Sequence, residues 1–127
     1  MKRQTAQWVS KAEEDIDSAR ALSALKLPRR NAACFHCQQA VEKYLKALLQ
    51  ELGVAVPRTH NLKLLLDLLV PHEPALKPLR RGVPGLTKYA VEYRYPGIRA
   101  TTRQMRAALR ITERVRAELR ARLGLAT

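Results

Sequence analysis

The stretch FHCQQAVEKYLKALL, residues 35–49, carries the apolar pattern that decides the fold. An α-helix turns by about 100° per residue, so the positions that share one face of this segment follow from their spacing. Seven small or apolar residues fall within a single arc: Cys34, Cys37, Val41, Tyr44, Leu45, Leu48 and Leu52. This arc is wider than the roughly 100° that a helix with one covered side needs. We therefore expect either the central helix of a bundle or a helix whose extra apolar surface meets another subunit.

Further helices are predicted on both sides of this segment. Apolar residues recur at three- and four-residue steps over about residues 4–25 and 101–123, and the central helix is expected over about residues 30–52. Gly53 is a natural C-cap for the central helix. A shorter helix, capped by Thr59 or Asn61, is predicted to continue to about residue 70.

The region between residues 71 and 100 is rich in proline and glycine. Residues 71–85 contain four prolines and two glycines and are predicted to form a loop with at most one helical turn. LTKYAVEYRY, residues 86–95, predicts a short helix that ends at Pro96. Four main helices with short connections predict an all-α fold, an antiparallel up-and-down four-helix bundle with an extra short helix. Residues 1–127 are expected to form one domain.

The 127-residue chain has a formal net charge of +13, and this charge is unevenly distributed. Residues 79–127 hold 12 basic and 3 acidic side chains, whereas residues 1–78 hold 12 and 8. Such asymmetry favours a polyanionic partner, although a solvated, arginine-rich helix face explains it equally well. No apolar run is long enough for a membrane span, and the first residues are too charged for a signal peptide. We therefore expect a cytoplasmic protein that does not associate with a membrane.

Cys34 and Cys37 have the C-x-x-C spacing found in zinc and redox sites. A structural zinc site needs four ligands, usually from two such pairs, and no second pair exists, so His60 or His72 would have to complete the site. A redox pair normally lies between a strand and a helix, a setting that is absent here. We expect both thiols to pack in the core, and we expect neither a metal nor a cofactor.

The side of the central helix opposite the apolar arc is polar. It contains His36, Gln39, Glu42, Lys43 and Lys46. These groups have the chemistry to contact phosphates and base edges. The alternative is an exposed helix face on which Glu42 and Lys46 form an i,i+4 ion pair. Gln38 lies at the margin of the arc and, if buried, must form a hydrogen bond.

Two short motifs in the connections offer further candidates. In the segment 93–96, Arg94 has a rigid fork of donors suited to a phosphate or a carboxylate, and Tyr93 and Tyr95 have rings that can stack on a base. The alternative is that Arg94 pairs with an acidic side chain while the tyrosines pack between helices. His60 has the chemistry to contact a ligand or to brace its loop through a hydrogen bond.

The order of these segments resembles a known family. An N-terminal helix is followed by AACFHCQQAVEKYLKALLQELG, THNLKLLLDLL, LTKYAVEYRYPG and a long amphipathic helix. This combination resembles the HEPN domain, the higher eukaryotes and prokaryotes nucleotide-binding domain, over almost the whole chain. The resemblance implies a dimeric helical bundle. It also implies frequent pairing with a minimal nucleotidyltransferase in a toxin–antitoxin-like system.

Active ribonucleases of that family carry an arginine, four to six residues and then a histidine in the later half of the domain, and cut RNA without a metal. This chain departs from the pattern, because no histidine follows His72. One formal match, from Arg30 to His36, lies at the start of the central helix. We therefore predict no catalytic residue, with a divergent ribonuclease that uses His36 with Arg29 or Arg30 as the alternative.

The first hypothesis is a homodimeric binding module. It binds a nucleotidyltransferase partner, and a nucleotide or RNA, through a basic cleft. The residues predicted to line that cleft are His36, Gln39, Lys43, Tyr93, Arg94 and Tyr95.

Overall fold

A computed structural model describes residues 1–127, and all of its regular elements are helical. The five α-helices are α1 (Arg3–Ala24), α2 (Arg30–Glu51), α3 (Leu62–Leu69), α4 (Lys88–Val91) and α5 (Thr102–Arg122). The all-α prediction and the order of the helices are confirmed. None of these helices is both long and apolar enough to cross a membrane.

Local capping explains three of the helix boundaries. The side chain of Asn61 accepts a hydrogen bond from the backbone N–H of Leu64 and caps α3. Thr101 and Gln104 form a capping box at the start of α5. Gly53 follows α2 with a φ of +73°, a left-handed conformation that favours glycine.

The region 71–85 was wrongly predicted to be a loop with at most one turn. It contains two 3₁₀ helices, Pro74–Arg80 and Val83–Leu86, and a third spans Glu92–Arg94. Proline is tolerated in the first turn of a helix, and Pro74 and Pro84 lie there in their segments, whereas Pro78 lies inside the first 3₁₀ helix. Leu76 and Leu79 on the first segment, and Val83 and Leu86 on the second, reach the core.

Helix α2 is the centre of the bundle, and α1, α3, α4 and α5 all pack against it. Its seven-residue apolar arc is buried except for Leu52, which lies just beyond the helix. Of the two expectations for that arc, the central helix is therefore the one observed. The arc is covered by the chain's own helices and leaves no apolar face for a second subunit.

The long helices follow an up-and-down course. The backbone N–H of Lys2 donates to Glu51 Oε1 at 3.0 Å, which places the start of α1 beside the end of α2. Helix α5 returns past α1: Arg116 Nε donates to Glu13 Oε2 at 2.9 Å, and Tyr44 of α2 donates to the same carboxylate. This shared carboxylate joins α1, α2 and α5.

Candidate functional site

His36 and Lys43 of α2 both bind Asp15 of α1. The Nδ1 atom of His36 lies 2.8 Å from Asp15 Oδ1, and the Nζ atom of Lys43 lies 2.5 Å from Oδ2. The Asp15 side chain is only 10% exposed, and a carboxylate that is covered to this extent needs hydrogen-bond partners, which His36 and Lys43 supply. These two predicted ligand residues are therefore already engaged inside the chain, although the Nε2 atom of His36 is not part of this contact.

The rest of the polar face of α2 is not the exposed surface that was expected. Glu42 and Lys46 do form the predicted i,i+4 pair at 2.9 Å, but their side chains are only 5% and 8% exposed. The stem of Lys46 is covered, and its Nζ atom lies 5.6 Å from the centroid of the Trp8 ring. A helix wheel gives the direction of a side chain, but the neighbouring helix decides whether water reaches it.

Glu42 is the acceptor of a buried polar network. It receives hydrogen bonds from Lys46, from His60 Nδ1 at 2.7 Å and from Gln38 Nε2 at 3.1 Å. Burial alone would raise the pKa of Glu42, but these hydrogen bonds outweigh it and lower the pKa below its ordinary value of 4.5. His60 thus braces its loop, as one reading of the sequence held. Gln39 donates to Gln38 Oε1 at 2.7 Å and is tied to the same network.

Tyr93, Arg94 and Tyr95 have three different environments. Tyr93 is half-buried against Tyr89, with ring centroids 4.8 Å apart, and its hydroxyl accepts from Gln104 Nε2 at 3.3 Å. Arg94 lies over the ring of Phe35, with Cζ 5.6 Å from the centroid, and forms no ion pair. The alternative in which Arg94 pairs with an acidic side chain is therefore wrong. Tyr95 is 63% exposed.

Arg94 and Tyr95 share an open cavity of about 380 Å³ with His60, Ala90 and Val91, which we call the Arg94 cavity. Phe35, beneath Arg94, also contacts the ring of His36, with centroids 5.5 Å apart. The structure therefore brings Arg94, Tyr95 and His60 together in one cavity, whereas His36 contacts Phe35 and does not line the cavity. It does not bring Gln39, Lys43 or Tyr93 into this cavity.

A second cavity, of about 460 Å³, was not predicted from the sequence. It lies where α2 begins and where the segment before α5 ends, and we call it the arginine cavity. Its basic lining residues are Arg29, Arg30 and Arg99. Nothing in the sequence distinguishes Arg99 from the other arginines, because the convergence arises from long-range packing.

Asn31 holds the two sides of the arginine cavity together. Its Nδ2 atom donates to the carbonyls of Tyr93, at 3.3 Å, and Ile98, at 2.7 Å. Its Oδ1 atom accepts from the backbone N–H of Ala100 at 2.7 Å. Arg30 Nε donates to the Ala100 carbonyl at 2.6 Å. The segment 93–100 is thus attached to the first turn of α2.

Arg30 and His36, the alternative catalytic pair, do not face each other within the chain. They lie six residues apart on α2, which corresponds to about 9 Å along the axis and about 120° around it. Arg30 lines the arginine cavity, whereas His36 points to Asp15.

Cys34 and Cys37 are fully buried, which confirms the prediction of core packing. Burial raises the pKa of the Cys34 thiol to about 12 and that of Cys37 to about 11. No group of three histidine, cysteine, aspartate or glutamate side chains lies close enough together to hold a metal ion.

Most of the lysine and arginine side chains have no carboxylate partner. Of 24 lysines and arginines, nine lie within 4.0 Å of a carboxylate oxygen and fifteen do not. Four of the fifteen form an exposed row on the outer face of α5, within about 80° around the axis and about 16 Å along it. This arginine row consists of Arg103, Arg106, Arg110 and Arg114.

Comparisons with known proteins agree with the architecture. A family model described as the HEPN domain matches residues 5–122. The fold is similar to the crystal structure of TT1696 from Thermus thermophilus, with a TM-score of 0.76 and 26% identity over 94% of this chain and 98% of that one. It is also similar to ST0689, described as an archaeal HEPN homologue, with a TM-score of 0.74 and 26% identity over 96% and 98%. No curated protein matches the chain.

Proposed function

Because the chain belongs to the HEPN domain family, we propose that it is a dimeric cytoplasmic module that binds a nucleotide or RNA. We further propose that it pairs with a minimal nucleotidyltransferase in a toxin–antitoxin-like system. The observation that carries the binding proposal is the position of Arg94, which lies over the ring of Phe35 without a carboxylate partner and next to the exposed Tyr95.

The chemistry of the Arg94 cavity suits a phosphate next to a base. The guanidinium lies over the Phe35 ring in a cation–π contact, and its N–H donors stay available for a bidentate contact to phosphate. The ring of Tyr95 offers a stacking platform for a base, and His60 lines the same cavity. The net charge of +13 raises the local concentration of any polyanion.

A binding titration tests this proposal. The probes are ATP and a fluorescent ten-nucleotide RNA, and the variants are Arg94→Ala and Tyr95→Ala. We expect each variant to weaken binding about tenfold, the cost of losing a charged contact or a stacked base. Arg3→Ala removes an equal charge from an exposed position outside this cavity and serves as the control. If Arg94→Ala weakens binding no more than Arg3→Ala does, the cavity is not the binding site.

The proposed associations need a surface other than the buried arc of α2. Leu64 and Leu68 lie one turn apart on α3 and are 42% and 37% exposed, which supports a contact with another chain. Sedimentation or light scattering at micromolar concentration tests the dimer. A monomeric mass would contradict it.

A native pull-down of the tagged protein, with intact-mass analysis of everything that elutes, tests the partner. We expect a small nucleotidyltransferase in stoichiometric amount. A nucleotide-sized mass increase on this chain would add that it is a substrate of that enzyme, with Tyr93 and the more exposed Tyr95 as the first acceptors to examine. A homodimer that elutes alone and unmodified would contradict the pairing.

One contact favours the second candidate, a divergent metal-independent ribonuclease. A carboxylate bound to one nitrogen of a histidine orients the ring for general-base chemistry, and Asp15 binds His36 in this way. An enzyme of this kind should cut RNA in EDTA. His36→Ala should then abolish cleavage and leave the fold intact. Intact RNAs after incubation with the wild-type protein would exclude it.

A further inference from the structure

We propose that the arginine cavity is a second, separate binding site, and that its ligand is a phosphate group. Three arginines from two chain segments line one open cavity of about 460 Å³. Arg29 and Arg99 form no ion pair, and no acidic side chain lines the cavity. Like charges held together in this way are stabilised by a bound anion, and planar guanidinium groups match the oxygens of phosphate.

The cavity is a built feature of the fold. The side chain of Asn31 makes three hydrogen bonds to the segment 93–100, and Arg30 makes a fourth to the Ala100 carbonyl. Arg99 lies between two residues whose backbones are fixed by Asn31, namely Ile98 and Ala100. Arg30 uses only Nε for its backbone contact, so its terminal nitrogens remain available. The backbone that carries Arg99 and the side chain of Arg30 are therefore held in place before any ligand arrives, which reduces the entropy lost on binding.

The surface next to the arginine cavity indicates the path that a longer ligand would follow. The arginine row on α5 begins four residues after Arg99, with no carboxylate paired to any of its members. An RNA strand with one phosphate in the cavity would pass from three converging arginines to a line of exposed ones. A free nucleotide supplies the same phosphate chemistry but does not reach the row.

The test is a titration of the full chain with three probes: inorganic pyrophosphate, ATP and a ten-nucleotide RNA. The variants are Arg29→Gln and Arg99→Gln, and Arg3→Gln is the charge-matched control. Arg3 is exposed and lies at the opposite end of α2 from the cavity, because Lys2 binds Glu51. We expect each cavity variant to weaken phosphate binding about tenfold or more, and Arg3→Gln to weaken it less than about twofold.

A conservative substitution separates geometry from charge. Arg99→Lys keeps the charge and removes the fork of donors, so we expect a loss close to that of Arg99→Gln. The probes separate the two sources of phosphate. Binding of pyrophosphate and ATP that is as tight as that of RNA assigns the site to free nucleotides, whereas much tighter binding of RNA assigns it to the nucleic acid.

The failure of this inference is distinct from that of the proposed function. If Arg29→Gln and Arg99→Gln bind all probes as well as Arg3→Gln does, the arginine cavity is not a phosphate site, whereas a wild-type protein that binds none of the probes contradicts both proposals. Arg94→Ala, measured in the same series, reports on the Arg94 cavity alone. Unchanged melting temperatures of the variants ensure that the losses reflect contacts rather than unfolding.

Discussion

The Nδ1 atom of His36 lies 2.8 Å from Oδ1 of Asp15, and this contact joins the polar face of α2 to α1. Lys43 binds the other oxygen of the same carboxylate. Replacing Asp15 by alanine leaves both groups without their acceptor in a largely covered site. We expect the free energy of unfolding to fall by about 2 kcal/mol.

Urea denaturation measures this change. Asp15→Asn, which keeps an acceptor oxygen, should lose less. Asp17→Ala is the control, because the Asp17 side chain is 77% exposed and pairs only with Arg20 at 3.7 Å. Equal denaturation midpoints for the wild-type protein and Asp15→Ala would show that the Asp15 contacts contribute no net stability.

Stability should fall on acidification, and Glu42 should contribute to the fall. Hydrogen bonds from His60, Lys46 and Gln38 lower the pKa of Glu42 in the folded chain, despite its burial. The unfolded state then binds a proton more readily than the native state. The stabilisation from ionised Glu42 is therefore present above about pH 4.5 and is lost as the pH falls through the lower folded-state pKa.

The measurement is the urea midpoint from about pH 6 to about pH 3, a range that spans the titration of Glu42. Glu42→Gln cannot ionise in either state, so its midpoint should be lower at the upper end of this range and should fall less steeply with pH. Glu14→Gln changes an exposed side chain that pairs only with Lys11 and is the control. Parallel pH profiles for Glu42→Gln and the wild-type protein would contradict this assignment.

Both thiols should be unreactive in the native protein. Cys34 and Cys37 are fully buried, and burial raises their pKa values to about 12 and about 11, so almost no thiolate is present at about pH 8. We expect a thiol-specific reagent to label neither residue in buffer and both in urea. Prompt labelling in buffer would mean that α2 opens readily.

Asn31→Ala should loosen the segment before α5 without unfolding the bundle. The backbone N–H of Ala100 loses its acceptor, and the carbonyls of Tyr93 and Ile98 lose a donor. Hydrogen exchange at the Ala100 amide should accelerate. The Leu64 amide, which is capped by Asn61 in the same manner, is an internal control and should not change. Unchanged exchange at Ala100 would show that the segment is held by other contacts.

Sequence reasoning succeeded where one helix determines the outcome. Spacing placed Cys34 and Cys37 in the core, and Asn61 was one of two expected caps. Sequence reasoning failed where the burial of a side chain depends on packing against a second element. Lys46 was expected on an exposed face, but Trp8 of α1 covers it. The burial of the apolar residues at 76, 79, 83 and 86 depends on the packing of the two 3₁₀ helices against the core, which the local sequence does not show.

The difference between local and long-range determinants also explains why one cavity was predicted and the other was not. Arg94 and Tyr95 were identified because they lie together in a local motif. The arginine cavity combines residues 70 positions apart, with Arg30 and the Ala100 carbonyl as one such contact. No local pattern encodes that distance.

The central position of α2 also determines how the molecule comes apart. Each of the other α-helices packs against it, so none can detach without exposing part of α2 to water. Residues in the middle of α2, such as Val41 and Leu45, are covered from all sides and can exchange their amide hydrogens only when the whole bundle opens. Unfolding should accordingly be a single cooperative event, and the slowest-exchanging amides, in the middle of α2, should report the free energy of unfolding of the whole chain.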